Sequence, residues 1–261
     1  MIFDCHAHIF PEHVVDRAME ALGAVYNARP VARPTPDNLL RHMDGCGVDR
    51  ALVVAVATRP SQVAPVNSWL TALGEPRLTP LGSLHPHCDD VAGEVQRLLD
   101  AGIRGVKLQP HFQGYGFDDP ATDALFEAIG DRLWVLLHAG QEIVPLDRVE
   151  PTPERLLALH RRFPQVRLIL AHLGGFLEWD GVEELLVGED VWLDASYVFG
   201  ICPDERIKRI ILSHGPERVL WGSDFPWQTA AHGIAGIERL GLTDEQKRGI
   251  LGENLQRLLS L

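Results

Sequence analysis

The chain has 261 residues, 46% of them apolar and 23% charged, with a formal net charge of −12. That length suits one (β/α)8 barrel, typically ~250 residues, and buries enough surface to need no disulfides. The acidic balance argues against nucleic-acid binding, which needs basic surfaces, but leaves an anionic substrate open, because a bound metal sets the field in its own site.

Met1-Ile2-Phe3-Asp4 has neither a basic region nor a long apolar stretch, so a signal peptide is not expected. A first strand is expected at 2–5. Thr35-Pro36-Asp37-Asn38-Leu39-Leu40 then reads as an N-cap with proline at the first helical position, and Gly45 or Gly47 can end that helix. Strands follow at 51–57 and 79–84, the former a continuous apolar run of the kind that parallel sheets bury on both faces. The helix expected over 91–101 places Val91, Val95, Leu98 and Leu99 on one face before Gly102 stops it. Further strands are expected at 105–108, 133–138, 167–172, 191–194 and 219–222, with helices over 153–163, 203–212 and 243–259. Strands alternating with helices in this number are the pattern of a (β/α)8 TIM barrel, with a doubly wound open sheet as the competitor. No linker or repeat interrupts it, so a single domain spanning 1–261 is expected. Cys5, Cys46, Cys88 and Cys202 show no C-x-x-C spacing, which fits reduced thiols in a cytoplasmic protein, and no apolar run approaches the ~20 residues of a membrane span.

The chemistry sits at strand ends, where barrels of this kind build their active sites. The first strand runs into Asp4-Cys5-His6-Ala7-His8, the fourth carries Lys107, the fifth ends at His138, the sixth at His172, and the eighth leads into Ser223-Asp224. On an extended segment His6 and His8 share one side, because side chains alternate, and two such imidazoles can chelate a divalent ion. One His-x-His pair is weak evidence. The same chemistry at matching ends of several strands is hard to explain as packing.

Asp4-Cys5-His6-Ala7-His8, Gly105-Val106-Lys107-Leu108-Gln109-Pro110, Leu137-His138-Ala139-Gly140, Ala171-His172-Leu173-Gly174-Gly175, Gly222-Ser223-Asp224-Phe225-Pro226-Trp227 and the stretch from Ile250 to Leu259 resemble the amidohydrolase superfamily. More closely they resemble its amidohydrolase-related branch, which includes aminocarboxymuconate-semialdehyde decarboxylase and related aromatic-acid decarboxylases and hydrolases. The resemblance spans nearly the whole chain, is specific for the superfamily, and says little about substrate. It implies that His6, His8, His138 and Asp224 ligate a first metal, with Asp224 accepting a proton from the bound water. It makes His172 a ligand of a second metal, or a hydrogen-bonding group beside the water if one ion binds. Lys107 would bridge two ions if carboxylated, or stay a cation that pairs with a carboxylate. One or two divalent ions are therefore expected, zinc first, because His/Asp ligation suits it. Such an ion lowers the pKa of bound water and polarises a carbonyl. Asp4 is expected to orient the site from behind its ligands.

Loops after the strands should set the substrate, with His85, Gln109, His111 and Trp227 as candidate contacts. His13, His42, His160, His214 and His232 fall on helices or their ends and read as structural or solvated. The leading expectation is a hydrolase that cleaves an amide, ester or lactone of a small molecule by metal-activated water. The alternative is a non-oxidative decarboxylase or hydratase of an aromatic or unsaturated acid. A metal-free binding barrel is the reading from another class. A small-molecule substrate is expected, with no nucleic acid, no membrane, and homo-oligomerisation open.

Overall fold

The computed structural model of the chain describes residues 1–26, 29–142 and 151–259. Its strands are β1 (Phe3–His8), β2 (Arg50–Val54), β3 (Leu78–Pro80), β4 (Gly82–Ser83), β5 (Gly105–Leu108), β6 (Trp134–Leu137), β7 (Arg167–Leu170), β8 (Trp192–Asp194) and β9 (Val219–Leu220). The helices are α1 (Val15–Tyr26), α2 (Pro36–Cys46), α3 (Val63–Thr71), α4 (Val91–Asp100), α5 (Pro110–Gln113), α6 (Pro120–Ile129), α7 (Pro153–Arg162), α8 (Trp179–Leu185), α9 (Asp204–His214), α10 (Ala230–Arg239), α11 (Asp244–Arg248) and α12 (Asn254–Leu259).

The caps follow local chemistry. Thr35 accepts the N–H of Asn38 at the start of α2, and Gly47, at φ 70°, returns its N–H to Met43 at the end. Asp90 caps α4 through Gly93 and Thr152 caps α7 through Arg155. Strand bounds differ from the sequence pattern. β1 runs on to His8, and the strand expected at 79–84 is two, β3 and β4, on either side of Leu81. Proline at position 80 lacks the N–H that a continuous ladder would use. The long helix expected over 243–259 is also broken. A π-turn over Gly249–Glu253 separates α11 from α12, with Gly252 at φ 175°. A Cβ at Gly252 would lie 2.6 Å from the Met1 carbonyl, so the turn needs a residue without one.

Internal packing divides the chain into two compact units: Met1–Val53 with Glu75–Thr79 and Trp192–Leu261, and Val54–Gly74 with Pro80–Val191. In the first, β1, β2 and β3 lie side by side. β8 and β9 pair in parallel, Leu193 opposite Val219 and Asp194 opposite Leu220. Phe3, Leu39, Ile210, Trp221 and Phe225 are among its buried side chains. The break at Gly252 lets Ile250 accept the N–H of Trp221 (3.0 Å), while the Asn254 amide donates to the carbonyls of Pro216 (2.8 Å) and Val219 (2.7 Å).

In the second unit β4, β5, β6 and β7 form a parallel sheet in that order, with Ser83, Lys107, Leu136 and Ile169 in one row. Their carboxyl ends open toward Gln109, His138 and His172, the usual place for ligands in parallel sheets. Two buried amides hold the edge and the loops. Asn67 of α3 accepts the N–H of Ser83 (2.7 Å) and donates to its carbonyl (2.8 Å), as a neighbouring strand would. Gln113 of α5 donates to Ala57 (3.0 Å) and Leu84 (2.6 Å) and accepts the N–H of Gln109 (2.8 Å).

Candidate metal centre

Within the first unit, β1 is zippered to the segment that follows β9. Cys5 donates to Trp221 (3.0 Å), His8 to Phe225 (2.7 Å), and Asp224 to the carbonyl of His6 (2.8 Å). Asp4 Oδ1 fastens both sides by accepting the N–H groups of His6 and Ser223, each at 2.9 Å. Burial raises Asp4 to about 7, against hydrogen bonds from Ser223 and His6 that pull it down. This pairing turns His6 and His8 toward Asp224. His6 Nε2 lies 3.2 Å from His8 Nε2, and Asp224 Oδ1 is 3.2 Å from His8 Nε2 and 3.5 Å from His6 Nε2. Asp224 adopts a left-handed backbone, φ 56°, which aims its carboxylate there.

Behind the imidazoles stands Asp194, at the end of β8 and fully buried. Its Oδ2 faces His6 Nδ1 at 2.8 Å, and Ser196 bonds both carboxylate oxygens, through its N–H (2.8 Å) and its hydroxyl (2.8 Å). A carboxylate partner places the proton on Nδ1, which leaves the Nε2 lone pair facing Asp224. Gly222 makes room for this: a Cβ there would sit 2.7 Å from His6 Cβ and 3.0 Å from Asp194 Oδ1. Two imidazole nitrogens and a carboxylate oxygen, clustered within 4.8 Å and oriented from behind, are the donor set of a borderline divalent ion. The residues fit the metal that the resemblance implies.

The second unit gathers Lys107, His111, His138, Glu142 and His172. His138 Nδ1 is 3.3 Å from His172 Nε2, and its Nε2 is 3.3 Å from Glu142 Oε1. His111 Nδ1 stands 3.7 Å from the same oxygen, and Gln109 donates to it at 3.4 Å. Burial, followed by the charges of His172, Lys107 and His111, holds His138 well below the usual imidazole value, so it is neutral at pH 7. Glu142 is aimed by a backbone bridge. Gln141 donates to Phe176 (2.9 Å) and Phe176 donates to Ala139 (2.9 Å), across Gly140 at φ 82°, where a Cβ would lie 2.0 Å from Phe176 N.

The candidate residues from sequence therefore fall into two groups. His6, His8 and Asp224 come together in the first unit; Lys107, His138 and His172 lie with Gln109 and His111 in the second. His85 has both ring nitrogens engaged by the backbone: Nε2 donates to Gln113 (2.9 Å) and Nδ1 accepts from His87 (3.2 Å). That makes it a brace for its loop. Half-buried Trp227 donates its N–H to the Asp224 carbonyl (2.9 Å) and tightens the turn carrying that carboxylate. His42, on α2, accepts the N–H of Ala230 at 3.0 Å, a structural role. Sequence reasoning misses Asp194, Ser196 and Glu142. Asp194-Ala195-Ser196 is a polar end to a buried strand, the signal that picked out the other ends.

The sequence model of the amidohydrolase family matches residues 3–261. No curated protein matches the chain. Solved structures do. Among them are 5-carboxyvanillate decarboxylase from Sphingomonas paucimobilis (19% identity, TM-score 0.77, covering 100% of this chain and 99% of that one) and dihydroxybenzoic acid decarboxylase from a Polaromonas species, with bound manganese and the inhibitor 2-nitroresorcinol (16%, 0.70, 100% and 97%). A TIM-barrel protein from Bordetella bronchiseptica is similar over 99% of this chain and 98% of its own, with 16% identity and a TM-score of 0.77. The fold is thus the (β/α)8 TIM barrel that the strand–helix alternation predicts. Among the described residues, no helix is long and apolar enough to cross a membrane.

Proposed function

The chain belongs to the amidohydrolase family and is an enzyme of that superfamily, and on that premise we propose that it is a metal-dependent, non-oxidative decarboxylase of a small aromatic or unsaturated carboxylic acid. The observation that carries the reading is the His6–His8–Asp224 triad, with Asp194 behind it, in a chain similar over its whole length to decarboxylases of aromatic acids. Sequence alone favours the hydrolase; the whole-length likeness moves the weight to decarboxylation.

His6, His8 and Asp224 would hold the ion, zinc by the donor set, with manganese as the alternative found in the dihydroxybenzoic acid decarboxylase. When bound, the ion supplies Lewis-acid polarisation of a substrate oxygen. The reaction needs one proton delivered to the carbon bearing the carboxylate. The C–C bond then breaks, its electron pair returns to the carbon skeleton, and carbon dioxide leaves. Asp224, whose Oδ1 stands beside His8 Nε2, is the residue we assign to hand over that proton, through the carboxylate oxygen that does not hold the ion. Hydrolysis would use the same carboxylate as a base. His172 is assigned as a second proton-handling group, through His138 Nδ1.

The test is a panel of ortho-hydroxybenzoates and unsaturated acids read for carbon dioxide, against lactones, esters and amides read for ring opening or cleavage. We expect carbon dioxide release that chelation abolishes and added Zn²⁺ or Mn²⁺ restores. Lactone, ester or amide hydrolysis with no carbon dioxide from any acid would return the assignment to the hydrolase.

A further inference from the structure

We propose that Tyr197 orients the substrate at the His6–His8–Asp224 centre, its phenol donating a hydrogen bond to an anionic oxygen of the acid. The class of acid comes from the decarboxylase reading, on which this assignment rests; the place of Tyr197 comes from the fold. β8 ends at Asp194, and its pairing with β9 runs one residue further, where Ala195 donates to the Leu220 carbonyl (2.9 Å). Ser196 is then turned back on the centre, its hydroxyl 2.8 Å from Asp194 Oδ2 and 3.1 Å from His6 Nδ1. Tyr197 is therefore the first residue beyond the contact with His6. It stands at the carboxyl side of a parallel pair, where barrels bind their ligands. Every other residue of 193–199 is buried, whereas Tyr197 is half-buried, so its ring is the part of this segment open to a small molecule.

The backbone supports the same role. Tyr197 is left-handed, φ 56°, a conformation that strains a bulky side chain and that glycine would adopt without strain. Among the described residues of the first unit, Asp224 is the other non-glycine in this region, and its conformation aims a carboxylate at the two imidazoles. Such residues persist where the surrounding structure imposes them, and they gather at ligand sites. Here the imposing contacts are the two bonds from Ser196 to Asp194, each 2.8 Å, which fix the residue just before the turn. The phenol is suited to donate. It ordinarily loses its proton near pH 10, and burial, followed by the Asp224 charge, raises it further. At neutral pH Tyr197 is thus an uncharged O–H donor. Two substrate groups offer it an anionic oxygen: the carboxylate itself and an ionised ortho-hydroxyl.

Binding tests this apart from turnover. Zinc-loaded wild type and Tyr197→Phe are titrated by calorimetry with salicylate, benzoate and 2-nitrophenol. We expect Tyr197→Phe to keep its metal stoichiometry and to lose roughly 10- to 100-fold in affinity for salicylate, the range for a hydrogen bond to a charged group. A parallel loss for benzoate places the bond on the carboxylate, and a parallel loss for 2-nitrophenol places it on the phenol oxygen. With any acid that is turned over, KM should rise by a similar factor while kcat changes less. Equal salicylate affinity in wild type and Tyr197→Phe overturns the proposal, as does a loaded wild type that binds none of the three. Carbon dioxide release with unchanged KM in Tyr197→Phe removes Tyr197 alone. Lost affinity in a protein that releases no carbon dioxide leaves Tyr197 in place and removes the decarboxylase. Should Tyr197→Phe fail to fold, Tyr197→Asn tolerates the left-handed turn, lacks the phenol, and carries the same expectation.

Discussion

A histidine ligates through one ring nitrogen only while the other keeps the proton, and in this chain Asp194 decides which one that is for His6. The 2.8 Å contact from Asp194 Oδ2 to His6 Nδ1 and the two bonds from Ser196 leave the carboxylate one orientation. Asp194→Ala should therefore weaken metal binding by roughly 10–100-fold, measured by competition with a chromogenic chelator. Asp194→Asn keeps an acceptor for Nδ1–H and should recover part of that loss. An Asp194→Ala protein with unchanged metal affinity and only a lower melting temperature would reduce Asp194 to a packing residue. Asp224→Asn is the complementary change. It is isosteric but cannot carry the proton, so kcat should fall by orders of magnitude with a smaller change in KM, once a substrate is in hand. Near-normal turnover would remove Asp224 from proton transfer. Gly222→Ala should injure the same centre by steric means, because the new methyl meets His6 Cβ at 2.7 Å. Metal affinity should drop in that variant although no ligand has been touched.

At the level of elements, sequence and structure agree where the cause is local. The cap at Thr35, the stop at Gly47 and the apolar face of α4 each depend on residues within a few positions, and α2 and α4 are legible from them. Agreement fails where the cause is distant. Gly252 breaks the last helix because of the Met1 carbonyl. β4 has only two residues, and much of its edge is paired by the Asn67 side chain, sixteen positions earlier. No periodicity in the sequence announces such a contact. It can be weighed directly. Asn67→Leu would leave the Ser83 N–H and carbonyl buried without that partner, at about 1–3 kcal/mol for each such group. The urea midpoint should shift down by a corresponding amount with m unchanged. A variant within ~0.5 kcal/mol of the wild type would show that the strand edge needs no such clasp.

For the molecule as a whole, the legible part of the candidate centre was the part with a short-range signature. His6 and His8 share a side because strand side chains alternate, and Asp224 belongs to a recognisable tail after the last strand. Asp194 escaped because its partner His6 is 188 positions away, and Glu142 because its role depends on a bridge between Gly140 and Phe176. The proposed His6–His8–Asp224 centre has one consequence that does not depend on the substrate. Ligand sets assembled from such distant positions exist only in the folded chain, so an ion that binds them stabilises the native state by mass action. At free metal near 100 times Kd the gain is about 2.7 kcal/mol per site. In a chain of this size each kcal/mol is worth ~2–4 °C, so stripping one such ion should lower the melting temperature by roughly 5–11 °C. Thermal scans with EDTA, and after adding back Zn²⁺ or Mn²⁺, measure this. Restoration should be lost in His6→Ala/His8→Ala, since both imidazole ligands of the centre are gone. A melting temperature indifferent to chelation and to added metal, at ion concentrations that saturate the wild type, would mean that the centre is not coupled to folding.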